Sequence, residues 1–170
     1  MTDTIVADLK SRAKPWPRGN RYEDFSGGLT FTHHWGRTLG EVDNTLFTTL
    51  TMNYNPQYLN GEIAKANGFE NGIPINPLLV FNTVLGMSVE DLSEGGGPFL
   101  GVDKCVYGVP VYPGDTLTAT SVVISARESS KRPKFGIVTW ATRGVNQRGD
   151  EVIRFKRSNL IGKRKSEEQV

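Results

Sequence analysis

The chain has 170 residues, 37% of them hydrophobic and 22% charged, with a net charge of +2. That length holds one compact domain with a real core, and so small a net charge excludes an electrostatic case for nucleic acid as the partner. No apolar run approaches the roughly 20 residues of a membrane helix, and Met1 to Lys14 lacks a continuous signal core, so a cytoplasmic protein is expected.

Residues 1–28 carry Pro15, Pro17 and the pair Gly27-Gly28 without a sustained period. They read as an irregular arm laid over the domain, anchored by Trp16, Tyr22 and Phe25. "LTFTHHWGRT" then alternates as a strand does, and "EVDNTLFTTLTMN" sets Val42, Leu46, Phe47 and Leu50 at helical spacing. In "NPQYLNGEIAKANGF", Asn55 caps a helix, Pro56 takes its first position and Gly68 ends it. The most apolar segment is "NPLLVFNTVLGMSVEDLS". With Asn76 as cap and Pro77 as first residue, it predicts a helix buried on most sides. After Gly95-Gly96-Gly97 the period changes: "FLGVDKCVYGVPVY", "DTLTATSVVISARE", "FGIVTWATRGVNQ" and "EVIRFKRSNLIG" read as strands separated by "PGD", "SSKRPK" and "RGD" turns. Helices first and a four-stranded meander after predict an α+β domain over 29–162, an antiparallel sheet curling around one central helix, with a charged tail at 163–170.

The single cysteine excludes an internal disulfide, and Cys105, in a strand, reads as a small buried hydrophobe. His33 and His34 are adjacent in a strand and therefore face opposite sides of the sheet. Glu41 and Asp43 read as first-turn residues that stabilise a helix N-terminus. The basic stretch Arg127 to Lys134 is either a solvated loop or a seat for a phosphorylated ligand. No HExxH, no Gly-rich loop followed by Lys, no GxSxG and no paired Cys/His spacing occurs, so metal, nucleotide and serine-hydrolase readings have no support and no cofactor is expected.

The order of arm, strand, short helices, buried helix and long meander resembles the hot-dog fold. "YPGDTLTATSVV", "GIVTWATRGVNQRGDEVIRF" and "HHWGRTLGEVDNTLFTTLTMN" are similar to the MaoC-like hydratase/dehydratase family, and within it to the branch that acts on mesaconyl-CoA and related short branched thioesters. The resemblance implies an acyl-CoA or acyl-carrier thioester as ligand and a homodimer, or a higher homo-oligomer, as working unit. It implies a site in a tunnel beside the buried helix, where an Asp and a His flanking an Asn-Pro turn position water. It also implies that N–H groups at the helix start hold the thioester oxygen as charge develops on it.

Carried over by position, the Asp role falls on Asn53, the turn on Asn55-Pro56, the His role on Tyr58 and an acidic position on Asn60. Asn53 is similar to the branched-substrate group and can orient a water. Tyr58, with an ordinary pKa near 10, is a poor base and an acceptable donor. Pro77 has no N–H to offer, which leaves Leu78 N–H or the Asn76 amide as oxyanion donor. His34, beside the "GRT" segment, is the candidate to replace the missing base, while Arg37, Lys131 and Arg132 are expected at the tunnel mouth on the ligand's phosphates. These residues point to hydration or dehydration of an enoyl or 3-hydroxyacyl thioester, or addition of another nucleophile to it. The alternatives are a non-catalytic acyl-thioester-binding or scaffold subunit, and a hot-dog thioesterase.

Overall fold

The computed structural model describes residues 2–13 and 19–164. Alternation of side chains decides the architecture. In β3 (Thr116–Glu128), Leu117, Ala119, Ser121 and Val123 turn inward. In β4 (Phe135–Val145) Val138, Trp140 and Thr142 do so, and in β5 (Glu151–Gly162) Ile153, Phe155, Arg157, Asn159 and Ile161. With β1 (Thr30–Thr38) and β2 (Phe99–Tyr107) they form one five-stranded sheet in the order β1-β3-β4-β5-β2, every neighbouring pair antiparallel. β1 and β2 are the edges. Trp140 stands opposite Val123 on one side and Arg157 on the other, so the inner face is in register across the three central strands.

The apolar helix α4 (Pro77–Met87) lies on this inner face and buries Val80, Val84 and Met87. They pack with Leu39, Ile75, Val111, Leu117, Ala119, Val152, Ile153 and Phe155 as the main core. The helix is open on its other side, where Leu78 is 46% exposed, so the sequence overstates its burial within one chain. At Gly144 an added Cβ would sit 2.7 Å from Val84 Cγ2 and 3.0 Å from Ile153 Cγ2, and a β-branched valine cannot swing aside. Gly144→Ala should therefore lift α4 from the sheet and cost about 1–3 kcal/mol in urea denaturation; an unchanged midpoint would show that the helix does not rest on this glycine.

A second core gathers under the N-terminal arm, where Phe25 joins Leu92, Val123, Val138, Trp140 and Ile161, with Tyr22 packed beside them. Phe25 meets the Trp140 ring edge-on at 5.2 Å. Tyr22 and Phe25 are thus anchors as the sequence suggests, while Trp16 lies outside the described residues. The arm is not irregular throughout. Thr2–Arg12 forms helix α1, a run free of Gly and Pro, with Arg12 paired to Asp8 one turn back at 3.3 Å. The tail beyond residue 164 is outside the described residues.

Between the sheet's first strand and α4 the chain makes α2 (Glu41–Leu50), a single 3₁₀ turn at Pro56–Tyr58 and α3 (Gly61–Ala66). The helix expected to run from Asn55 to Gly68 is broken because Asn60 acts as a second cap, its Oδ1 accepting from Glu62 N–H at 3.0 Å and Ile63 N–H at 3.3 Å. A four-residue helix, α5 (Val89–Leu92), follows α4. Cys105 is exposed rather than buried, because β2 is an edge strand.

Arg157 is a buried cation, 2% exposed, with its guanidinium 5.4 Å from the Trp140 ring centre and one hydrogen bond, to Ser88 O at 3.2 Å. Burial lowers its pKa to about 10. A folded-state pKa below the unfolded value means that at neutral pH the fold carries the full cost of the buried charge, and that this cost fades as pH rises above about 10. Arg157→Met should raise stability by about 1–3 kcal/mol at pH 7, with the gain shrinking above pH 10. A loss of stability at pH 7 would show that the ring contact and the Ser88 bond outweigh desolvation.

Candidate functional site

Three segments remote in sequence enclose a cleft of about 180 Å³: the Pro56–Tyr58 turn, the start of α4, and the end of β2 with residues 108–111. Its floor is apolar, built from Ile75, Val80, Val111 and Val152, each 3% exposed or less. Tyr58 and Tyr107 line its walls.

Asparagines position the walls. Asn55 Oδ1 accepts from Gln57 N–H at 3.1 Å and Tyr58 N–H bonds Asn55 O at 3.0 Å, so Asn55-Pro56 fixes the turn that carries Tyr58. Asn44, 3% exposed on α2, spends its whole amide on joining three segments. Its Nδ2 donates to Tyr58 O at 3.1 Å and Pro74 O at 3.2 Å, and its Oδ1 accepts from Asn76 N–H at 2.8 Å. Asn76 is wholly buried; its Oδ1 caps α4 by accepting from Leu78 N–H at 3.0 Å. Leu78 N–H is therefore occupied, whereas Asn76 Nδ2 has no partner among the described residues. A buried amide donor without a partner is costly and marks a place where an acceptor would be stabilising.

Burial pushes the Tyr58 hydroxyl pKa above its ordinary value, and no cation offsets it. Tyr107, though 42% exposed, is raised in the same sense by partial desolvation, then by Cys105 and by Tyr58 across the cleft, and partial desolvation also raises the thiol of the exposed Cys105. All three groups keep their protons at neutral pH. A hydroxyl with its pKa raised in this way can donate a hydrogen bond and is poorly suited to act as a base.

The other candidates lie elsewhere. Asn53, half-buried after α2, does not line the cleft, though Tyr58 does. His34 is on the outer side, its side chain 58% exposed and 3.7 Å from Glu90 Oε2. His33 turns inward, with Nδ1 2.6 Å from Asp91 Oδ2 and Nε2 2.8 Å from Ser121 Oγ. That row resembles a hydrolase relay in order only: Ser121 is wholly buried, so no substrate atom reaches its hydroxyl. Arg37 donates to Asp43 Oδ1 at 2.7 Å on an exposed surface. The Asp43 carboxyl is held below its usual range by Gly40 N–H first and by Arg37 as well, which fits its reading as a helix-start residue. Lys131 and Arg132 sit in the β3–β4 loop, beside the far end of β5 from Val152. At about 3.3 Å per residue that separation is roughly 30 Å, so the structure does not bring them to the cleft.

Asn44 and Tyr107 are not singled out by the sequence. A signal for Asn44 exists in principle, since asparagine is a poor interior helix residue unless its amide is used.

A mesaconyl-CoA hydratase of Haloarcula hispanica is 37% identical over 157 residues, covering 92% of this chain and 44% of that protein. A β-methylmalyl-CoA dehydratase of Chloroflexus aurantiacus is 38% identical over 146 residues, covering 86% and 41%. The chain thus spans less than half the length of these relatives. Among solved structures, a Mycobacterium tuberculosis protein described as having a double hot-dog fold superposes with a TM-score of 0.80 at 20% identity, covering 87% of this chain and 46% of that one. The α+β architecture is therefore one hot-dog unit. The family model for mesaconyl-CoA hydratase matches residues 1–169, and the chain belongs to that family.

Proposed function

We propose that this chain serves the hydration or dehydration of a short or branched enoyl or 3-hydroxyacyl thioester, carried on CoA or on an acyl carrier protein. The observation that carries the reading is Tyr58, a hydroxyl donor that lines a largely apolar cleft at the start of α4 together with Gln57 and Tyr107. The acyl group lies on the floor, and Tyr58 donates to the oxygen that enters or leaves the β-carbon. Of the two candidate oxyanion donors, Leu78 N–H is taken by the cap and Asn76 Nδ2 is wholly buried and outside the cleft lining, so the oxyanion role is assigned to neither. No helix among the described residues is long and apolar enough to cross a membrane, in keeping with a cytoplasmic role.

One observation favours a second reading. Among the described residues neither a carboxylate nor an imidazole lines the cleft, and the curated relatives are more than twice as long. In this reading two hot-dog units work together: the present chain binds the acyl group and the other brings the base. The exposed edge β2, with Phe99, Leu100 and Val106 each more than 40% exposed, suits such pairing, with a second copy as the simplest partner.

Incubation with crotonyl-, mesaconyl- and itaconyl-CoA separates these readings. Loss of the enoyl absorbance without release of thiol supports hydration by the chain itself. Release of thiol would mean a thioesterase. Binding without either change supports the subunit reading, and a native mass of twice 18.8 kDa supports the homodimer.

A further inference from the structure

The turn that carries Tyr58 brings a second polar side chain into the cleft wall, that of Gln57. Its amide is held at one end. Gln57 Oε1 accepts from Asn67 Nδ2 at 3.1 Å. Asn67 is fixed in turn at the close of α3, where its N–H reaches Ile63 O and Ala64 O, each at 3.1 Å. Asn60 N–H bonds Pro56 O at 2.8 Å and so ties that helix to the turn. With Oε1 engaged from the α3 side, the planar amide presents Nε2, which can only donate, on its other side. The Tyr58 hydroxyl identifies the recipient. Burial dominates its raised pKa, and a hydrogen bond from the Gln57 side chain works in the opposite sense. A bond that lowers the pKa of a phenol is one donated to its oxygen, because it stabilises the phenolate.

That polarity decides what Tyr58 can offer a ligand. A hydroxyl has one proton and two acceptor sites, and it rotates to suit its partners. With an N–H already on the oxygen, the O–H turns away from Gln57 and toward the cleft. We propose that Gln57 is a positioning residue for Tyr58: its amide, oriented by Asn67, occupies the phenol oxygen and so aims the hydroxyl proton at the reacting end of the bound thioester. The inference rests on the reading of Tyr58 as the donor in this cleft and adds the group that orients it. The ionisable group facing Tyr58 across the cleft is Tyr107 on β2, with Cys105 beside it. The elements packed against the turn add Glu41 and Asp43 on α2, Glu62 and Lys65 on α3 and Glu70 just beyond it, none of which lines the cleft.

Gln57→Met keeps the length of the side chain and removes the donor, whereas Asn67→Ala leaves the donor and frees it. Each is made in the intact chain, alone and combined with Tyr58→Phe, and assayed with whichever of crotonyl-, mesaconyl- and itaconyl-CoA is hydrated fastest. Gln57→Met is expected to lower kcat about three- to ten-fold with KM changed less than about two-fold. Asn67→Ala should move kcat in the same direction by less. In the Tyr58→Phe background both losses should vanish. Tyrosine labelled with carbon-13 at Cζ gives a readout without turnover. The Tyr58 resonance, identified by its absence from Tyr58→Phe, should titrate about half a pH unit or more higher in Gln57→Met. An unmoved midpoint, or a rate loss of equal size in the Tyr58→Phe background, would overturn the inference while leaving Tyr58 as donor. A Tyr58→Phe variant as fast as the parent, or no hydration of any of the three esters, would remove the donor reading itself, and the inference with it.

Discussion

Tyr58→Phe should lower the rate of enoyl-thioester hydration by about 10²-fold, as is typical of losing a positioned proton donor. The ring stays, so the cleft wall is kept and only the hydroxyl is lost. The direction of the hydroxyl's pKa makes the role specific: burial raises it, so the group acts by donating its proton and not by taking one. Accordingly the Tyr58-dependent part of the rate should be flat from neutral pH up to the ordinary tyrosine range and fall only above it. Steady-state rates of the two proteins across that range check both statements. A Phe variant as fast as the parent would reduce Tyr58 to packing.

Asn44→Leu is expected to have the largest effect on stability. The leucine nearly preserves volume but strands Tyr58 O, Pro74 O and Asn76 N–H together. Each buried polar group left unpaired costs about 1–3 kcal/mol, so a loss of about 3 kcal/mol or more is expected in urea denaturation. Because two of those partners belong to the Tyr58 turn and the α4 start, acyl-thioester affinity should fall as well, even under conditions where the variant remains folded. A loss below about 1 kcal/mol would show that the three segments are held by their other contacts.

The sheet was legible in the sequence because its signal is local. Leu117, Ala119 and Val123, or Val138 and Trp140, announce an inner face by alternation alone, and turns such as "PGD" and "RGD" mark where strands end. Alternation also put His33 and His34 on opposite faces. It carries no sign, however, and the residue favoured as a base, His34, is the outward one. Local signals misled where two competed. Asn55 and Asn60 both cap, and the second divides the helix that the first begins. Edge strands are not marked either, so Cys105 reads as buried and is exposed.

The site was legible only through its turn. Tyr58, which lines the cleft, follows the Asn-Pro motif of Asn55-Pro56, whereas Asn76, in the second such motif, is wholly buried as the cap of α4. The opposite wall at Tyr107 and the floor at Val111 and Val152 come from strands that meet the turn only in three dimensions. Likewise the basic "SSKRPK" loop looked like a phosphate seat by composition, but the length of β5 separates it from the cleft.

A crystal structure of the chain with crotonyl-CoA tests the central claim most directly. The expected result is acyl density on Ile75, Val80, Val111 and Val152, with the Tyr58 hydroxyl within hydrogen-bond reach of the reacting end. Acyl density anywhere else, with this cleft empty at saturating ligand, would contradict it.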